Sequence, residues 1–267
     1  MRRGFAPLVD GAVDDRLELQ DLVAIGEGDP LVPGPQPQLG HATASAVLVQ
    51  QHGLGDRHLQ EGIVVRAVDP DVLLLQEVPR YPGSDYAISA FARRAGLLWS
   101  GRTRLVSGTG MMTSLRVRAT DSQDRRLPVG LRENPRSYTV AKVQAVGLEP
   151  VTVVSVHLSL KEEQRVDHVR TVLSELAAAP DLAGGPLVVG GDVNEEGDGP
   201  AWGVLSGALT EVSDDRPTFP AQQPHRRIDA IFARGHRSAV PGDPQLVAGA
   251  PLEQATDHLP VWVDLTF

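Results

Sequence analysis

Leu187-Val188-Val189-Gly190-Gly191-Asp192-Val193-Asn194 is the stretch on which the reading of this chain turns. Three apolar residues, two of them β-branched, fit a strand covered on both faces. The glycines, aspartate and asparagine that follow end it with turn-forming residues that also carry a carboxylate and an amide. The same arrangement recurs along the chain. Gln76-Glu77 follows the apolar run 72–75, and His157-Leu158 follows 151–156. Arg227-Ile228-Asp229 leads into Ala230-Ile231-Phe232, and Asp257-His258-Leu259-Pro260 precedes Val261-Trp262-Val263. Strand ends hold side chains more rigidly than loops do, so strands that each deliver one such group to a common sheet edge build a site. The side-chain set is rich in hard oxygen donors suited to a divalent cation, with two imidazoles left for proton transfer and phosphate contact.

Each of these places has a plainer reading when taken alone. Asp, Asn and Gly after a strand make an ordinary turn. A single histidine closing a strand is more often a hydrogen-bonded core residue, Arg227 and Asp229 could form a surface ion pair of little energetic weight, and Asp257 could simply order its turn. It is the series of five, in order, that points to a site.

The series and its strand contexts resemble the endonuclease/exonuclease/phosphatase superfamily, which contains pancreatic-type deoxyribonucleases, abasic-site endonucleases, neutral sphingomyelinases and inositol polyphosphate 5-phosphatases. The resemblance covers roughly residues 46–267. Gly191-Asp192-Val193-Asn194, Arg227-Ile228-Asp229-Ala230-Ile231-Phe232 and Thr256-Asp257-His258-Leu259-Pro260-Val261 match closely, and Gln76-Glu77 matches well; Thr256 stands where the family usually has Ser. The resemblance implies a four-layer α/β sandwich, two mixed β-sheets packed face to face with helices outside and the site at one end. One departure stands out: the first strand ends Val49-Gln50-Gln51-His52-Gly53, so Gln50 occupies the place of the family's Asn, with an amide one methylene further out.

For function, the resemblance implies a metal-dependent phosphodiester hydrolase. Mg²⁺ or Mn²⁺ would be held by Glu77 with help from Gln50, Asp257 and Asp192. His258, oriented by an acidic partner, would take the proton from the attacking water, which Asp192 would position. Asn194 would donate to the phosphoryl oxygen, and His157, paired with Asp229, would sit as an imidazolium against the phosphate. Arg116 joins Asn194 and His157 as a substrate contact. A nuclease or general phosphodiesterase is the first reading; a phosphatase or phosphodiesterase of a small-molecule or lipid-headgroup phosphate is the second, and a catalytically impaired binding protein, resting on Gln50, is the third.

Composition bounds these readings. A chain of 267 residues accommodates one large α/β domain. The absence of cysteine excludes disulfides, thiolate catalysis and zinc–thiolate sites. No apolar stretch approaches the ~20 residues that cross a bilayer, and no secretory apolar region follows the N-terminus, so a cytoplasmic, monomeric protein is the expectation. The net charge of -9 includes the proposed site acids Glu77, Asp192, Asp229 and Asp257. Between Phe91 and Arg136, ten arginines face Asp121, Asp124 and Glu133, a local excess of +7 that could neutralise the phosphates of a nucleic acid, or equally belong to solvated loops and edge strands. Aromatic residues make up 4% of the chain, which disfavours a single-strand stacking platform.

The chain divides into an acidic, Pro/Gly-rich extension over 1–45 and a catalytic domain over 46–267. The patterning predicts strands at 47–49, 71–76, 110–117, 138–146 and 151–157, and helices over 86–96 and 162–179. The last carries Val166, Val169, Leu173 and Leu176 on its inner face and is ended by Pro180.

Overall fold

The computed structural model describes residues 43–50, 57–79, 81–99, 108–131, 133–250, 252 and 256–267. Residues 1–42 of the extension expected over 1–45 lie outside them. The domain boundary expected at 45/46 falls inside an element, because the first strand, β1, runs over Thr43–Gln50. Its neighbours in one sheet are β2 (Val72–Gln76), β3 (Leu98–Trp99), β4 (Thr109–Thr113), β11 (Ser238–Pro241) and β12 (Val261–Thr266), in the order β11-β12-β1-β2-β4-β3. The second sheet is β5 (Val117–Leu127), β6 (Arg136–Ala145), β7 (Val151–His157), β8 (Leu187–Asp192), β9 (Thr210–Glu211) and β10 (Asp229–Arg234), in the order β5-β6-β7-β8-β10-β9. β1 with β2 and β7 with β8 are parallel, and the remaining pairs are antiparallel.

The two-residue alternation of a strand sorts the core into layers. Val72, Leu74, Met111, Ala141, Val143, Val151, Val153, Val188, Ile231, Val261 and Val263 pack between the sheets. Residues of opposite parity face the helices. Leu73, Leu75 and Met112 meet α1 (Arg57–Val68) and α2 (Ser84–Ala95) through Val65, Ile88 and Phe91. Tyr138, Val154, Val156, Val189 and Phe232 meet α3 (Glu162–Ala178) and α4 (Pro200–Ala208) through Val169, Leu176, Trp202 and Leu205. The result is the sandwich of helices, sheet, sheet and helices implied by the resemblance.

Local chemistry sets the boundaries. α2 closes at Gly96 in the left-handed conformation (φ 75°), and the Leu97 N–H returns to the Ala92 carbonyl, a common helix-ending pattern. α4 begins with Pro200, where no donor is lost. On α3, Val169 and Leu176 are buried as the patterning predicts, Val166 and Leu173 lie at the flank, and the centre of the buried face also takes Val172, Arg165 and His168. The strand predicted over 110–117 stops at Thr113. A turn at 114–116 follows, and the chain continues into β5, a polar edge strand with a register shift at Thr120/Gln123.

Candidate active site

Sheet register assembles the first part of the site. His157 is paired in register with Asp192, and Asp192 with Asp229, so three functional side chains lie side by side on β7, β8 and β10. They continue the inward parity of Val153, Val188 and Ile231, which places them at the open end of the space between the sheets. Across that space the register aligns Gln50 with Gln76, and Glu77 follows directly. Glu77 leaves the strand with φ 55° and Asn194 turns back at φ 54°. Gly191, at φ 153°, is required where it stands, because a Cβ there would fall on the Val156 carbonyl oxygen of the neighbouring strand.

A polar seam joins the sheets just beneath. Gln76 Nε2 donates to Ser155 Oγ (3.1 Å), which donates to the Leu75 carbonyl (3.0 Å), and the hydroxyls of Thr109 and Thr139 share a 2.9 Å hydrogen bond.

His258 enters from the loop before β12. Its Nδ1 donates to Asp229 Oδ2 at 2.7 Å, leaving Nε2 for chemistry. The ring packs against Phe219, centroids 4.8 Å apart and tilted by 50°, and the loop is held by hydrogen bonds from Leu259 to Thr218 and from Ala221 to Asp257. Burial opposes the charged imidazole, but the hydrogen bond and charge of Asp229, with Asp192 and Asp257, outweigh it and raise the His258 pKa to about 8. Asp192 is 2% exposed; burial, and then the Asp229 charge, push its carboxyl above the ordinary carboxylate range. The Asn194 N–H donates to Asp192 Oδ1 (2.8 Å), and Asn194 Nδ2 donates to Asp192 Oδ2 (3.2 Å) and to the Leu158 carbonyl (3.1 Å).

The pairing expected for His157 is corrected. Asp229 is bonded to His258, because β10 lies beside β8 and away from β7. His157 Nε2 instead lies 3.5 Å from Asp192 Oδ2 and 2.9 Å from Arg136 Nη1. Arg136 Nη1 also lies 3.3 Å from His157 Nδ1, so the ring sits between the Arg136 guanidinium, a fixed positive charge, and the Asp192 carboxylate. Arg136 opens β6 and lines a polar cavity of about 340 Å³ together with Glu77, Asn134, Ser137 and His157.

Arg116 is also corrected. Its guanidinium is held by Asp69 (2.9 Å) and Asp71 (2.5 Å), which precede β2, whereas Gln76 and Glu77 lie at the other end of that strand. Of the other described arginines between 91 and 136, Arg93 and Arg94 lie in the last turn of α2, and Arg125 pairs with Glu175. Sequence reasoning counted Arg136 without placing it. The signal lay in the β6 register, which sets Tyr138 against Val156 and so brings the start of β6 beside the end of β7. Arg227, read as a possible partner of Asp229, lies over the Trp202 ring at 4.7 Å.

The donor set fits a divalent cation. Asp192, Asp229 and His258 are all buried and offer ligand atoms within 4.8 Å of one another; of the expected metal set Asp192 is in this cluster, and Glu77 and Asp257 are not. Burial, and then the Asp229 charge, disfavour the Asp192 carboxylate, and a hard cation beside the pair would offset both.

The sequence profile of the Endonuclease/Exonuclease/phosphatase family matches residues 57–258. The chain belongs to that family. Members of the endonuclease/exonuclease/phosphatase family act as phosphoesterases, generally with a divalent metal. No curated protein sequence is similar enough to this chain to be counted as a match. Among solved structures, an endonuclease/exonuclease/phosphatase from Bacteroides vulgatus is similar at 15% identity and TM-score 0.65, over 84% of this chain and 98% of the other. The Bacteroides thetaiotaomicron mannosyl-6-phosphatase Bt3783 is similar at 15% identity and TM-score 0.65, over 84% and 100% of the two chains. D. rerio TDP2 complexed with a single-strand DNA product is similar at 20% identity and TM-score 0.61, over 84% and 98%. These likenesses concern the fold. No helix among the described residues is long and apolar enough to cross a membrane.

Proposed function

We propose that this family member is a divalent-metal-dependent phosphodiester hydrolase, with a nuclease or general phosphodiesterase as the first reading. The observation that carries it is the row His157, Asp192, Asp229 on adjacent strands, completed by His258 on Asp229, with His157 also lining the cavity that holds Glu77 and Arg136. Glu77, with Gln50, Asp257 and Asp192, would hold Mg²⁺ or Mn²⁺, which would supply Lewis-acid neutralisation of the phosphoryl charge. His258 Nε2 takes the proton of the attacking water while Asp229 fixes the ring and balances the imidazolium formed, a contribution typically of ~10²–10⁴ in rate. Asp192 orients that water, and Asn194 orients Asp192. Arg136 and His157 face the phosphoryl oxygens, so developing negative charge meets donors already in place.

A second reading, a phosphate ester of a small molecule or lipid headgroup, is favoured by a specific observation: Arg116 and Arg125 are paired with acidic side chains, and Arg136 lines a bounded cavity. Both readings share the test. Purified protein should hydrolyse bis-p-nitrophenyl phosphate with Mg²⁺ or Mn²⁺ and stop in excess EDTA. Glu77→Gln and His258→Ala should each lower turnover by ~10² or more with an unchanged circular dichroism spectrum. Full activity in chelator would overturn the metal requirement. Comparison of plasmid DNA, abasic DNA, RNA and inositol phosphates then separates the substrate classes.

A further inference from the structure

One charged pair of the domain is buried and has no part in the chemistry above. Arg165, on α3, is 8% exposed and Glu195, directly after Asn194, is 5% exposed. Arg165 Nε donates to Glu195 Oε2 at 2.7 Å. As a source of stability such a pair is weak, since lost hydration offsets most of the attraction and apolar residues of similar volume often serve as well. Its remaining atoms give it another use. Glu195 Oε1 accepts the N–H groups of Ala201 (2.6 Å) and Trp202 (2.9 Å) in the first turn of α4. Arg165 Nη1 donates to the carbonyls of Leu160 (2.8 Å) and Ser159 (3.4 Å), in the segment that leaves His157. Gly199 is fitted to the arrangement, because a Cβ there would fall on the Glu195 side chain. The two segments also meet directly: the Leu158 N–H donates to the Asp192 carbonyl, and Asn194 Nδ2 donates to the Leu158 carbonyl.

We infer that Arg165 and Glu195 are positioning residues, a buried clamp that sets the spacing between His157 and the Asp192-Val193-Asn194 turn and anchors both to α3 and α4. The inference rests on the reading of those residues as phosphoester machinery. Among the described residues the hydrogen bonds of the Arg165 and Glu195 side chains go to one another, to Ser159 and Leu160 and to the start of α4, whereas Asp229 and His258 share a hydrogen bond of their own. Its effect is on the placement of groups facing the phosphate, and a displacement of ~1 Å in such groups lowers turnover by ~10²-fold while leaving substrate affinity largely intact.

The test is the double variant Arg165→Met/Glu195→Gln. It removes both charges at once, so no lone charge is left buried, and it keeps an acceptor for the α4 N–H groups. Metal-supported hydrolysis of bis-p-nitrophenyl phosphate should show kcat lowered ~10- to 100-fold with KM within ~2-fold. In parallel, side-chain NMR of ¹⁵N-histidine-labelled protein, with His157 assigned through His157→Gln, should show the His157 ring resonances shifted and those of exposed His225 unmoved. Wild-type kcat and an unmoved His157 would overturn the inference, as would a loss of kcat that recovers fully on cooling. If wild-type protein hydrolyses nothing, the functional reading fails and the His157 resonances alone decide the clamp. If the double variant does not fold, Arg165→Lys decides in its place. It keeps the charge but loses the fork that reaches Leu160 and Ser159, so lowered kcat with a shifted His157 supports the clamp, and wild-type values overturn it.

Discussion

His258 must be neutral to act as a base, yet its surroundings favour the cation. Asp229 bonds one nitrogen, and Asp192 and Asp257 add negative potential. In the metal-free protein the ring should therefore titrate near pH 8, and Asp229→Asn should bring it down, since desolvation then acts with less opposition. Titration of the ¹⁵N-labelled ring checks this, and an unchanged midpoint in Asp229→Asn would refute the pairing. The same shift acts on stability. A histidine whose folded pKa lies above its unfolded value of ~6.5 stabilises the fold fully below pH ~6.5 and loses that contribution as pH rises through about 8. Asp192, raised in the folded state, weakens the fold as pH climbs through the range in which an ordinary carboxyl has already ionised. Gln50 offers a second residue-scale test. The β1 register sets it beside Gln76, and Gln50→Asn is expected to lower the metal concentration for half-maximal activity, because the shorter amide suits the spacing of the family's ligands. A rise in that concentration, with reduced activity, would mean that the strand is already fitted to glutamine.

At the scale of elements, β8 carries the sharpest constraint. Gly191→Ala would place a methyl group against the Val156 carbonyl in a left-handed backbone region, and an expected loss of about 3 kcal/mol or more follows from overpacking and strain together. Urea denaturation measures it, and a loss under ~1 kcal/mol would show that β7 and β8 part easily. What was legible in the sequence follows from the same geometry. β2, β7, β8, β10 and β12 are apolar runs buried on both faces, so their composition announced them, and the polar residues at their ends were conspicuous by contrast. β5 was not legible beyond its first residue, because an edge strand exposed along most of its length carries mostly polar side chains and looks like loop. Strand adjacency was not legible either. Distance along the chain does not say that β10 lies beside β8, and so Asp229 was first matched with the wrong histidine.

For the molecule as a whole, the described cations bear on the size of substrate that the proposed site would suit. Arg116 sits with Asp69 and Asp71 away from the site, Arg125 with Glu175, and Arg136 at the cavity. A polymer bound through few phosphate contacts releases few counterions, so KM for a phosphodiester substrate is expected to change less than ~10-fold between 50 and 200 mM salt. A change of ~10³-fold would restore the extended nucleic-acid track that the composition first suggested.

The seam of Gln76 with Ser155 and Thr109 with Thr139 ties the two sheets by directional bonds along one margin. Elsewhere the two sheets meet through apolar side chains, whose contacts have no direction and permit sliding. At the far end a small apolar cavity bounded by Val117, Val143, Leu148 and Phe267 marks where the facing sheets are less closely filled. Under hydrostatic pressure, which favours states that eliminate voids, the two sheets should part like the loose pages of a bound volume, first at that far margin and last along the spine. The spine is the margin at which Glu77 from one sheet faces His157, Asp192 and Asp229 from the other, so this protein would yield to compression while its working edge is still closed.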